Sequence, residues 1–123
     1  MFWSLFACQP PDDGATAVFS ADTDGGVFAV IVDFGAPPAT GPVTADLAVS
    51  RVDGAALGDA VVALDVYMPE HGHGVTPPPA TTQTGEGAWT SEWVFPMAGT
   101  WELTLDVHAG GDTDARVFDV DVD

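Results

Sequence analysis

The sequence has almost no positive charge. Lysine is absent, and Arg51 and Arg116 are the only strong bases against 19 acidic residues, which gives a formal net charge of -17. Such a chain repels nucleic acid and anionic lipid headgroups, so both are excluded as partners. The acids are scattered, which indicates a solvated acidic coat. Weak cation binding by the runs 22–25 and 112–114 is the alternative, although neither has the ligand spacing of a full calcium loop.

Cysteine and long apolar segments are also scarce. The single cysteine, Cys8, excludes an intrachain disulfide. It lies far from any other candidate ligand, so the blue-copper type of electron-transfer site is not expected. No apolar run is long enough to cross a membrane as a helix. No serine stands in a recognisable nucleophile motif, and we therefore expect a protein that is not an enzyme.

The N-terminus resembles the lipobox of bacterial lipoproteins, in which a cysteine is lipidated and becomes the mature N-terminus. Its apolar residues end in Leu-Phe-Ala-Cys at positions 5–8. The resemblance implies a signal remnant over 1–8 with lipidation at Cys8, a flexible tether over 9–15 and a domain over 16–123. It also implies a bacterial envelope or periplasmic location, with the membrane reached only through a lipid anchor. The alternative is an apolar tail with a free thiol, since no positive charge precedes the run.

Turn-forming residues divide the rest of the chain, and helix signals are nearly absent. The 14 glycines and 10 prolines separate short runs in which apolar and polar residues alternate. Trp101, Leu103 and Leu105 show this alternation most clearly, as expected for a strand with one buried face. The pattern predicts an all-β fold, an antiparallel β-sandwich of about 7–8 strands. The predicted strands are 17–21, 27–34, 44–52, 60–68, 80–84, 88–95, 100–107 and 115–122.

A candidate metal site follows the predicted strand 60–68, where positions 68–74 read Met-Pro-Glu-His-Gly-His-Gly. A further methionine opens a later Pro-Met-Ala-Gly turn. Imidazole and thioether donors suit copper, because Cu(I) accepts both, while Cu(II) prefers imidazole and oxygen. Glu70 would hydrogen-bond a ring N–H or donate oxygen to Cu(II), and Trp93 would shield the metal from water. The candidate ligands are Met68, His71, His73 and Met97.

The strand directions decide whether Met97 joins the histidines. If the strand before Met68 runs toward one end of the sandwich, called the upper end, the short strand 80–84 runs away from that end. The strand 88–95 then runs back toward it. Met97 then lies at the same end as the histidines, whereas a loop in place of 80–84 would put it at the other end. His108 follows a downward strand and lies about 25 Å away at about 3.3 Å per residue, so it is excluded as a ligand.

Each candidate ligand also has a purely structural interpretation. Met68 continues the apolar alternation of its strand and would then be the last core residue of that strand. Met97 would plug the end of the sandwich under a tight turn. His71 and His73 would be exposed loop residues, with glycine neighbours that serve only the turn.

The same residues resemble a known family, the YtkA-like domain, which is related to FixH. The resemblance rests on the run 67–74, on Gly-Ala-Trp at 87–89 and on Phe-Pro-Met-Ala-Gly-Thr-Trp-Glu-Leu at 95–103. It implies an immunoglobulin-like or cupredoxin-like sandwich in a bacterial envelope protein, often a lipoprotein, with a link to copper handling.

From this resemblance we expect an envelope-anchored copper chaperone or buffer, which binds Cu(I) or Cu(II) through its methionine and histidine side chains. Its expected partner is a copper-handling or membrane protein of the envelope. The alternative is an immunoglobulin-like lipoprotein domain that binds another envelope protein without a metal.

Overall fold

The computed structural model describes residues 16–123, and within them the chain forms nine β-strands and no helix. The predicted all-β sandwich is confirmed. The predicted lipidation site, Cys8, and the predicted tether 9–15 lie outside the described residues. The strands are β1 (Val18–Asp22), β2 (Phe28–Asp33), β3 (Gly41–Arg51), β4 (Ala60–Met68), β5 (His73–Gly74), β6 (Ala80–Gly85), β7 (Ala88–Phe95), β8 (Gly99–Ala109) and β9 (Asp112–Val122).

Two antiparallel sheets face each other across one core. The four-stranded sheet has the order β9-β8-β4-β5, and the five-stranded sheet has the order β1-β2-β3-β7-β6. Alternation along each strand supplies the core, and β8 shows this best. Trp101, Leu103 and Leu105 are fully buried, whereas the residues between them are partly exposed. The long strands therefore each give one row of side chains to the space between the sheets.

The two ends of the sandwich are set by strand register. The upper end carries the loop 69–72 and the turn 96–98, and the lower end is where Ala60 of β4 pairs with Ala109 of β8. β6 pairs with β7 along its length, so the chain runs down through β6 and returns to the upper end through β7. The short strand predicted at 80–84 is therefore present.

Two of the acidic runs meet at the lower end, where Asp114 of β9 holds the turn between β1 and β2. Its carboxylate accepts hydrogen bonds from the Thr23 hydroxyl at 2.6 Å and from the backbone N–H groups of Gly25 and Ala115, both at 2.9 Å. The Thr23 bond is the main cause of a lowered Asp114 pKa, and the backbone bonds add to it. The Asp114 carboxylate therefore joins the edges of the two sheets.

Asp114→Asn is expected to lower the free energy of unfolding at neutral pH, because an amide NH₂ would face donors in place of an acceptor oxygen. Since the folded pKa is lowered, this stabilisation is present above the ordinary aspartate value of 3.8 and is lost as the pH falls through the folded value. Urea midpoints of both proteins should therefore differ at neutral pH and converge in acid. Asp24→Asn removes one negative charge from the turn that Asp114 holds, and it should leave the midpoint nearly unchanged. A difference in urea midpoint that does not change with pH would contradict this explanation.

Candidate metal site

The loop after β4 turns at once and brings its two histidines side by side. The backbone N–H groups of His71 and Gly72 both donate to the Met68 carbonyl, at 3.3 and 2.9 Å. Gly72 has a φ of 67°, which glycine adopts without strain. This turn lets β5 pair back onto β4, with His73 opposite Met68. The centroids of the His71 and His73 rings lie 5.9 Å apart.

Trp101 connects this histidine loop to the turn that carries Met97. Its indole N–H donates to the Met97 carbonyl at 3.1 Å. Its ring centroid lies 5.6 Å from that of His73 in an edge-to-face arrangement, a favourable geometry for aromatic rings. The structure therefore places Met97 at the same end as both histidines. Trp101 therefore contacts both parts of the candidate site. The alternation of apolar and polar residues along β8 predicts only that this side chain is buried and does not reveal that role.

The two methionines differ in exposure. Met68 is 1% exposed, and a Cβ added to Gly99 would lie 2.7 Å from its Cε and 4.0 Å from its Sδ. Its side chain therefore fills the upper end of the core directly beneath the start of β8. Met97 is half-buried and packs against the edge of the core. The imidazoles and the Met97 thioether are consequently the more accessible donors.

The two predicted supporting residues, Glu70 and Trp93, differ in exposure. Glu70 is exposed, and its carboxylate has no hydrogen bond within residues 16–123. Trp93 is buried, and its ring centroid lies 5.5 Å from that of Phe95. The Phe95 centroid lies 5.4 Å from that of Trp101. The Trp93 indole N–H has no acceptor in the described part of the chain. The tryptophan that contacts an imidazole is therefore Trp101.

His108 lies at the lower end, in register with Val61 of β4 and Thr113 of β9. Its Nδ1 lies 2.9 Å from the Thr113 hydroxyl oxygen. It is thus separated from the other two histidines by the length of β8, and it offers a matched control for them.

A metal at the upper end would depend on sulfur as well as nitrogen. From residue 16 to residue 123, no group of three or more His, Cys, Asp or Glu side chains is placed to hold a metal ion. Two adjacent imidazoles with thioethers at the same end form a different donor set, and that set fits the chemistry of copper.

The sequence matches the model of the YtkA-like family over residues 28–106, which is more than half of the chain. The chain belongs to the YtkA-like family. The match runs from β2 into β8 and includes both the histidine loop and the Met97 turn, so the predicted family is confirmed. The relation to FixH stays a prediction. Among proteins with curated functions, none matches this sequence.

Solved structures show what this YtkA-like fold is similar to. A DUF4426 family protein from Pseudomonas aeruginosa PAO1 is 12% identical with a TM-score of 0.62, and the match covers 85% of this chain and 94% of that one. The filamin domain of Lin-41 is 14% identical with a TM-score of 0.52, and the match covers 90% and 98%. A DUF4785 family protein from Legionella pneumophila subsp. pneumophila str. Philadelphia 1 is 13% identical with a TM-score of 0.55, over 78% of this chain but 29% of that protein.

These similarities show an immunoglobulin-like sandwich. The descriptions of the YtkA-like family and of the three structures name no enzymatic activity. The described residues include no helix that is long and apolar enough to span a bilayer.

Proposed function

We propose that this YtkA-like domain binds copper at its upper end and acts as a copper chaperone or buffer in the bacterial envelope. The observation that carries the proposal is the pair of imidazole rings, 5.9 Å apart between centroids, beside the Met97 turn. Trp101 supports it, because this one side chain contacts His73 and hydrogen-bonds the Met97 carbonyl. Two segments that are distant in sequence therefore meet where the donors are.

In this proposal His71 and His73 supply nitrogen ligands, and Met97 and the buried Met68 supply thioether sulfur. Glu70 is the oxygen ligand or hydrogen-bond partner that becomes useful for Cu(II). The net charge of -17 supports the proposal further, since an acidic protein attracts cations over long distances.

The envelope location rests on the family and on the lipobox resemblance at Cys8. A lipid anchor at Cys8 followed by the tether 9–15 would hold the domain at the membrane surface. A copper-handling or membrane protein of the envelope is then the partner that delivers or receives the metal.

Competition titrations with a chromophoric copper chelator test the proposal on the full-length protein. All variants carry Cys8→Ser, because a free thiolate is itself a strong Cu(I) ligand. We expect one bound copper with a Kd below about 1 µM, or about -8 kcal/mol of binding free energy. His71→Ala/His73→Ala should raise the Kd at least about 100-fold, which corresponds to about 2.7 kcal/mol.

His108→Ala is the matched control, because it removes an exposed imidazole from the opposite end of the sandwich. It should leave the copper affinity unchanged. Binding weaker than micromolar in the parent protein, or an equal loss of affinity in His108→Ala, would contradict the proposal. The metal-free interaction domain would then be the better interpretation.

A further inference from the structure

The outer face of the five-stranded sheet has a groove that the copper proposal does not use. Its cavity volume is ≈ 390 Å³. Its floor contains Ile31 of β2, which is 43% exposed, and two alanines. Ala48 of β3 pairs with Ile31, and Ala88 of β7 pairs with Ala48. Because alanine side chains end at Cβ, the floor is low between Ile31 and Thr84 of β6, which also lines the groove. The result is an open apolar depression on a sheet face.

Two carboxylates border this depression. Asp33 of β2 and Asp46 of β3 lie directly opposite each other in the sheet, and both line the groove. Like charges in this position destabilise an antiparallel pair. Within residues 16–123, the Asp33 carboxylate receives one hydrogen bond, from the Gly35 N–H at 2.7 Å, and the Asp46 carboxylate receives one from the Thr90 hydroxyl at 3.2 Å. A carboxylate has about four acceptor positions, so both can accept further donors.

Neither of the two arginines in the sequence is placed at the Asp33–Asp46 pair. The guanidinium of Arg51 is bound to Asp112 at 2.8 Å, and that of Arg116 lies over the Phe118 ring at 5.9 Å from its centroid. Both arginines are thus engaged elsewhere, and lysine is absent from the sequence. No lysine or arginine of this chain is thus available to place a positive charge between the two carboxylates.

We propose that this groove docks an extended, positively charged segment of a partner protein. A lysine or arginine side chain matches both parts of the surface, because its charged head would lie between Asp33 and Asp46 while its aliphatic stem would cover Ile31. A second copy of this chain does not fit, since two chains of net charge -17 repel each other. The groove lies on the outer face of a sheet, so this docking does not depend on copper binding.

Nuclear magnetic resonance titration of the ¹⁵N-labelled full-length protein tests the proposal. The probe is the capped peptide Lys-Leu-Arg-Leu-Lys, with Glu-Leu-Glu-Leu-Glu as the matched peptide of opposite charge. We expect saturable shifts of the amide resonances of Ile31, Ala48 and Ala88 with the basic peptide only. Rising ionic strength should weaken these shifts, because exposed charge pairs are screened by salt.

Asp33→Asn/Asp46→Asn should raise the Kd of the basic peptide about tenfold, the upper range for two exposed ion pairs. The side-chain amide oxygen introduced in place of the Asp33 carboxylate can still accept the Gly35 bond, so the turn is preserved. Glu102→Gln/Asp119→Asn is the matched control, since these residues form another directly opposite carboxylate pair on the outer face of the other sheet. It changes the net charge equally and should leave the Kd within about twofold.

Removal of the Asp33–Asp46 repulsion should also raise the urea midpoint of the free protein, which confirms that the double variant is folded. Equal losses of affinity in the two double variants would overturn the proposal, because they would indicate only a general attraction to an acidic protein. Shifts spread over both sheets, or no saturable shift at all, would overturn it as well.

Discussion

Trp101→Ala is expected to lower the free energy of unfolding by about 3–5 kcal/mol, the range for truncating a large buried aromatic side chain. The side chain is fully buried, and its ring centroid lies 5.4 Å from that of Phe95 and 5.6 Å from that of His73. Truncation leaves a cavity at the upper end of the core and removes the donor to the Met97 carbonyl. Urea unfolding followed by circular dichroism measures the loss.

Trp101→Phe separates the two functions of this residue. It keeps an aromatic ring and loses the indole N–H, so the hydrogen-bond loss should cost about 1 kcal/mol. If Trp101 positions the site, Trp101→Phe should also weaken copper binding, because the Met97 turn loses its anchor. Val107→Ala is the control, since Val107 is fully buried near the lower end and its truncation should reduce stability but not copper affinity. Unchanged copper affinity in Trp101→Phe would contradict the positioning role.

Gly87→Ala is expected to destabilise the domain by about 2–5 kcal/mol. Gly87 has a φ of 70°, and a left-handed backbone costs a residue with a Cβ about 1–2 kcal/mol. An added Cβ would also lie 2.8 Å from the Val49 carbonyl oxygen, a backbone atom held in β3, and such overpacking adds about 1–3 kcal/mol. The same glycine offers its own carbonyl to the Val49 N–H at 2.9 Å, so the contact cannot widen without loss of a hydrogen bond.

Gly54→Ala isolates the steric part of this effect. Gly54 has a φ of 83°, but a Cβ there would meet no atom within 4 Å. Its cost should therefore be only the backbone part, about 1–2 kcal/mol. Urea unfolding measures the free energy of unfolding of both variants. An equal decrease in Gly87→Ala and Gly54→Ala would show that the contact with Val49 does not contribute. The Gly87 turn also reverses the chain between β6 and β7, and this reversal brings the Met97 turn to the upper end.

Alternation between apolar and polar residues was sufficient to predict most of the fold, because each long strand has one face in the core. The strand predicted at 100–107 extends to Gly99–Ala109, since Ala109 is still buried and pairs with Asp112. β5 was not predicted, because two residues cannot show a periodic pattern. This strand forms only because the turn at Gly72 folds the chain back onto β4.

The candidate site was predictable only in part. The strand directions predict that Met97 lies at the same end of the sandwich as the histidine loop. The direction of a strand depends only on the number of chain reversals that precede it. Alternation gives Trp93 and Trp101 the same inward orientation, so it cannot tell which indole contacts His73; that depends on the packing of one sheet against the other. The bond between Thr23 and Asp114 joins residues 91 apart in sequence, and no local signal marks it.

X-ray absorption spectroscopy of the Cu(I)-loaded Cys8→Ser protein tests most directly whether His71, His73 and Met97 hold one metal ion. We expect imidazole nitrogen at about 2.0 Å and thioether sulfur at about 2.3 Å from the copper, distances usual for a metal of this class. The sulfur contribution should fall in Met97→Leu, and the imidazole contribution should disappear in His71→Ala/His73→Ala. A copper shell that is identical in the parent protein and in these two variants would contradict the account.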